Sequence, residues 1–150
     1  MSRDIAIRRP KVAEYEDITR IWFEAWHAAG LTHVNDLPFD ALIHLFKRNA
    51  QSVWDLHVAD IDGHLAGFLA LIPEEKKLDQ LFVSPSLQGR GVGKQLLDHA
   101  KRHLPNGLWV RTLATNHQAI RFYKQESFVF DRLEPRPEDD RQDMYLTWQP

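Results

Sequence analysis

Three glycines at alternate positions, in the stretch Gln88-Gly89-Arg90-Gly91-Val92-Gly93, separate a short apolar run from an amphipathic one. The run from Leu78 to Ser84 reads as a strand closed by Pro85. Val92 to His103 reads as a helix with Leu96, Leu97, Ala100 and Leu104 turned inward. Glycines here let the main chain turn sharply and bring several N–H groups near one anion. The first amides of the helix have no intrahelical partner, and the helix dipole adds about half a positive charge at that end. A diphosphate satisfies both. Arg90 and Lys94 add cationic side chains at the turn and the first helical turn.

Spacing separates the phosphate-binding readings. A nucleoside-triphosphate loop requires glycine where Gln88 stands and serine or threonine where Gln95 stands. The dinucleotide fingerprint requires glycine or alanine at the position of Lys94, within a strand–helix–strand unit nearer the start of the chain. Both fail. A turn that uses glycine only for close packing at a helix start remains as the plain structural alternative.

The other segments supply the frame. Ile5 to Arg9 alternates as a short strand ahead of Pro10. Glu14 to Ala29 carries Ile18, Ile21, Trp22, Ala25 and Ala29 on one helical stripe before Gly30, and Phe39 to Asn49 forms a second helix. Trp54 to Ala59 and His64 to Ile72 are strands joined through the hairpin pair Asp62-Gly63. Trp109 to Leu113 reads as a strand, Asn116 to Gln125 as a helix, and Phe128 to Leu133 and Met144 to Trp148 as closing strands. Between those last two, Glu134 to Arg141 is rich in proline and charge and reads as an exposed loop. This order predicts a mixed α/β (α+β) fold with a largely antiparallel central sheet of about six to seven strands, flanked by about four helices.

The chain has 150 residues, which suits a single domain over residues 1–150. Its net charge of -2 supplies no global attraction for nucleic acid, and no apolar run is long enough for a bilayer. The alternating N-terminal segment does not resemble a secretory signal, so a cytoplasmic protein is expected. Cysteine is absent, which removes disulfides, thiolate metal sites and cysteine nucleophiles; the eight histidines remain.

Gln88 to Gly93 resembles the coenzyme A loop of the GNAT superfamily of N-acetyltransferases. Leu81-Phe82-Val83-Ser84-Pro85 before it and Asn116 to Tyr123 after it extend the likeness from Leu78 to Phe128. The resemblance implies acetyl-coenzyme A as cosubstrate and no metal. It implies that the main chain of Leu81, Phe82 and Val83, at a splayed strand, pairs with the pantetheine arm and polarises the thioester carbonyl. It further implies that Gln88, Gly89, Arg90, Gly91, Val92, Gly93 and Lys94 hold the diphosphate. By the same likeness Asn116 caps its helix beside the pantetheine, and Tyr123 protonates the departing thiolate. The competing role for Tyr123 is a core aromatic with its hydroxyl at the edge.

Two departures from the family pattern stand out. Arg111 occupies the position where some members place a glutamate base, and Ser127 precedes Phe128 where glycine is usual. Asp79 becomes the candidate base, on the side of Leu81 and Val83 by simple alternation, with pairing to Lys77 as the competing role. The resemblance places the acceptor amine between the first two helices and the last hairpin. Trp22, Trp26 and His27 are the candidate substrate residues there, with His33, Asp36 and the acidic run Glu138-Asp139-Asp140 nearby. The implied partner is an amine, on a small molecule or a protein; a homodimer stays open. The alternative function is a degenerate acetyl-coenzyme A-binding or interaction domain of the same fold.

Overall fold

The structure, a computed structural model, describes residues 4–150. Strand β1 (Ile5–Arg8) leads into helices α1 (Tyr15–Ala28) and α2 (Phe39–Ala50), then β2 (Asp55–Ile61), β3 (His64–Ile72) and β4 (Lys77–Val83). Helix α3 (Val92–His103), β5 (Leu108–Leu113), α4 (His117–Gln125), β6 (Val129–Pro135) and β7 (Gln142–Trp148) complete the chain. The strands form one seven-stranded sheet in the order β1-β2-β3-β4-β5-β7-β6. All neighbours are antiparallel except β4 and β5. The fold class expected from the element order is the one observed.

Helices cover both faces. On one, Ile18 and Ile21 of α1 and Phe46 of α2 pack with Trp54, Leu56, Val58, Phe68 and Ala70. On the other, Val92, Leu96, Leu97 and Ala100 of α3 and Tyr123 of α4 pack on Ala59, Leu69, Leu71, Leu78 and Val110. The Asp62-Gly63 hairpin has both residues at positive φ, 53° and 85°, as its sequence requires. Among the described residues no helix is long and apolar enough to cross a membrane.

Two local features of β4 position the site. Its parallel contact with β5 is short: Lys77 pairs with Trp109 and Leu78 with Val110, after which the strands part. The splaying implied by the resemblance is therefore present. On its other side, β4 pairs closely with β3, and a Cβ added at Gly67 would lie 2.7 Å from the Phe82 carbonyl oxygen, so only glycine fits. The second feature is a register shift: Leu78 pairs with Leu71 but Gln80 pairs with Ala70, leaving Asp79 as an extra residue in β4. This bulge places Leu78 and Leu81, three positions apart, in one core cluster.

Element ends agree with expectation to within one or two residues except near the last hairpin. Strand β6 runs through Glu134 and Pro135, which pair with Asp143 and Gln142. Those two residues are thus not part of a loop. Proline is tolerated because β6 is the sheet edge. The rest of the segment is pinned rather than free: Arg141 donates from Nη1 to the Leu31 carbonyl at 2.8 Å and holds Asp139 at 2.7 Å.

Candidate active site

Two cavities open on the region where β4 and β5 separate. One, of about 400 Å³, is lined by Leu81, Phe82 and Val83 of β4, by Gln88, Gly89, Gly91, Val92, Gly93 and Lys94, and by Asn116, Gln118, Ala119, Phe122 and Tyr123, with Ala25, Ala29 and Leu31 closing it. The other, of about 320 Å³, is bounded by Trp22, Trp26 and Trp54, by Asp79 and Gln80, and by Arg111, Arg136, Glu138 and Asp139 among others. We call them the glycine-loop cavity and the tryptophan cavity. Phe82 and Asn116 line both, so the two lie side by side there.

The glycine loop folds as its sequence dictates. After a single 3₁₀ turn over Pro85–Leu87, Gly89 and Gly91 take φ values of +81° and +83°, which side-chain-bearing residues rarely adopt, and Gly91 is the N-cap of α3. The α3 N-terminus thus carries unpaired amides at one end of the cavity. Gln88 donates from Nε2 to the Val83 carbonyl at 3.3 Å, tying the loop to the end of β4. Lys94 lines the cavity, but its ammonium contacts Glu126 at 3.0 Å and Asp98 at 3.4 Å. Its side chain is therefore committed locally rather than held ready for an anion. Arg90 has no hydrogen bond or ion pair among the described residues.

Asn116 caps α4 by accepting from the Ala119 N–H at 3.2 Å. Tyr123, on the second turn of α4, is 5% exposed and packs edge-on against Phe122 and Phe128. Burial pushes its phenol well above the ordinary value, so the group keeps its proton throughout the neutral range. The helix then ends in a complete Schellman pair: Ser127 N–H to the Lys124 carbonyl at 3.2 Å and Phe128 N–H to the Tyr123 carbonyl at 3.0 Å. Ser127 holds the left-handed position, φ 74°, that glycine usually fills. The helix end is thus intact despite the serine.

Asp79 requires a correction. Simple alternation puts it with Leu81 and Val83, but the bulge turns it to the opposite side, into the tryptophan cavity beside Gln80. There its carboxylate accepts from Trp54 Nε1 at 2.7 Å and pairs with Lys77 at 3.0 Å. The pairing with Lys77 is present as anticipated, and it does not remove Asp79 from the cavity wall.

Trp22, Trp26 and His27 come together in the tryptophan cavity. Trp22 packs at tilted ring angles among Phe46, Trp54, Phe68 and Phe82, part core and part wall. Trp26 donates from Nε1 to Asp36 at 2.8 Å, and His27 shares a bond with the Phe23 carbonyl at 2.8 Å. The acidic run is largely neutralised. Asp139 binds Arg141 and Arg136, Glu138 binds Arg111 and Arg136, and Asp140 faces His33 at 3.2 Å. An open anionic loop steering cations is therefore not what the hairpin presents. Gln80, Thr112 and Arg136 also line the wall and carried no signal in the sequence.

The acetyltransferase (GNAT) family model matches residues 14–128. The chain is 33% identical over 126 residues to the peptidyl-lysine N-acetyltransferase YjaB of Salmonella typhimurium, covering 83% of each. The solution structure of apo YjaB from Escherichia coli superposes with a TM-score of 0.80 at 26% identity, covering 96% of this chain and 97% of that one. In fold it also resembles the PaiA N-acetyltransferase of Thermoplasma acidophilum, crystallised with coenzyme A, at a TM-score of 0.72 and 19% identity over 97% of this chain and 99% of that one. Glycine loop, parted strands and helix-borne tyrosine therefore sit in a chain that belongs to the acetyltransferase (GNAT) family and is an acyltransferase.

Proposed function

We propose that the enzyme moves an acetyl group from acetyl-coenzyme A to the ε-amine of a lysine in a peptide or protein, by direct attack. The observation that carries this reading is the meeting of two cavities at Phe82 and Asn116, with Tyr123 in one and Asp79 in the other. The peptide-lysine acceptor draws on the YjaB relatives, whose names state that activity.

The residues divide the work. The amides at Gly89 to Gly93 and the α3 N-terminus hold the diphosphate. The edge of β4 beyond Leu78, which no strand covers, offers main-chain donors to the pantetheine amides and to the thioester oxygen. The tryptophan cavity admits a lysine side chain, its indoles shielding the methylenes. Asp79 receives the amine proton, and Tyr123 donates its proton to the sulfur as the C–S bond breaks. Acid and base thus stand on opposite sides of the junction.

Thermal-shift titration with coenzyme A, acetyl-coenzyme A and ATP, followed by free-thiol release against lysine peptides, free N-terminal amines and polyamines, tests this. Stabilisation by the coenzymes and thiol release with lysine peptides are expected. Stabilisation by ATP alone overturns the coenzyme assignment. Coenzyme binding without thiol release for any amine would make the chain a binding domain. Release only with small amines would overturn the acceptor class.

A further inference from the structure

The end of α3 away from the glycine loop carries a second arrangement that acetyl transfer does not use. His99 and His103 lie one helical turn apart on the same face of α3. That face meets His57 of β2, which is 3% exposed and lies on the α3 side of the sheet. The three imidazoles close a triangle, with ring centroids 4.5, 4.7 and 4.3 Å apart. One ring nitrogen from each lies within 4.8 Å of the other two.

The remaining ring positions are oriented by their neighbours. His103 Nδ1 lies 3.2 Å from the His99 carbonyl, so it carries the proton and leaves Nε2 as a free lone pair. His57 Nε2 is buried without a hydrogen bond and sits 3.3 Å from Asp55 Oδ1. A proton held there by the carboxylate leaves His57 Nδ1 as a lone pair facing His99 Nε2, 3.0 Å away. A small shift that lets Nε2 donate to Asp55 would give the carboxylate–histidine relay that supports metal-bound imidazoles. A tetrahedral ion with bonds of about 2.0–2.1 Å sets its ligand nitrogens about 3.3 Å apart. The His57–His99 pair is already near that separation, and His103 brings a ring nitrogen within 4.8 Å of both.

We propose that His57, His99 and His103 form a binding site for a divalent ion of the zinc class, which fastens the C-terminal end of α3 to β2. Three imidazoles with no thiolate select zinc and its neighbours over magnesium or calcium, and the exposed side at His103 leaves a coordination position for water. The C-terminal turn of a helix favours a cation. The nearby cations oppose binding. Arg9 is engaged with the Asp55 carboxylate and the Leu56 carbonyl, and Arg102 lies on α3 beside the trio. The site lies about 10 to 16 Å along the helix axis from Val92, remote from the transfer chemistry.

The test is calorimetric titration of the tag-free full chain with ZnCl2, with MgCl2 as control, and the visible spectrum of the Co²⁺-loaded chain. One zinc per chain, a melting temperature that climbs with zinc concentration and a tetrahedral Co²⁺ spectrum are expected. His103→Gln, at an exposed position, should weaken zinc by at least about tenfold, comparable with or beyond the loss of an outer-shell partner. It should leave the thermal shift by coenzyme A unchanged. No zinc heat above the magnesium control overturns the proposal. So does zinc binding that survives in a folded His99→Gln/His103→Gln chain, which would place the ion on other histidines.

Discussion

The glycine-loop cavity is lined mostly by residues close in sequence, from Leu81 to Val83 and in the glycine loop from Gln88 to Lys94, and by α4, whereas the tryptophan cavity is assembled from α1, α2, β4, β5 and the β6–β7 connection. In the proposed reaction the first takes the coenzyme, the same at every turnover, and glycines and a helix end stand in its wall. The second takes the acceptor, and its wall holds indoles, carboxylates and guanidiniums that cross-link distant segments. A change in the first should act alike on every acceptor. A change in the second should alter acceptor choice and spare the coenzyme.

Tyr123→Phe is the sharpest break of that contrast, because Tyr123 is the titratable side chain best placed for chemistry in the glycine-loop cavity. We expect kcat to fall about 100-fold or more for all amines with little change in coenzyme affinity, read by thiol release. Wild-type turnover would move the acid role to solvent or another group. Because burial keeps the phenol protonated, kcat should show no loss from this residue as pH rises to about 10, the reference value of tyrosine. Gly91→Ala puts a Cβ on a residue at φ +83°. It should cost about 1–2 kcal/mol of strain and, as the turn shifts, roughly tenfold in coenzyme KM, equally for each acceptor.

Asp79→Asn acts on the other cavity. It keeps an oxygen for Trp54 but loses the charge paired with Lys77. Acceptor KM and the acidic limb of the pH–rate profile should change several-fold while coenzyme KM stays within about twofold. An unchanged profile removes Asp79 as the base.

Asp139 tests the wall by pH. Hydrogen bonding to Arg141 holds its carboxyl well below the usual range. Its pairing is therefore complete above the ordinary value of about 4 and is lost only as pH falls through the lower folded value. Acceptor KM measured between pH 7 and 5 should show no step from this group. Ser127→Gly, outside both cavities, relieves a left-handed serine and should stabilise by a few tenths to about 1 kcal/mol. Melting should rise by about 2–4 °C at most, with both KM values unchanged.

The same contrast explains what was legible in the sequence. Gly89 to Gly93, Asn116 and Tyr123 lie in short segments where local spacing specifies the structure, so loop, cap and helix face were readable, as was the Asp62-Gly63 hairpin. The direction of Asp79 was not, because one inserted residue in β4 inverts alternation, and no residue type announces that bulge. The state of Lys94 depends on Glu126, 32 residues away, and the acidic run depends on Arg136, Arg141 and Arg111 for its neutralisation. Such pairings are set by the tertiary fold. The His99/His103 spacing was visible on the helix, but His57 arrives from a strand 42 residues earlier.

The contact between β4 and β5, two residue pairs long, has a mechanical consequence. It makes the sheet two plates, β1 to β4 and β5 to β7, riveted at Leu78 and Val110 and gaping beyond. Whatever lies along the open edge becomes a brace between the plates, so the stiffness of the whole molecule and the filling of that gap are one property. Amide exchange at Trp109 and Val110 is where a loaded and an empty enzyme should differ most in rigidity.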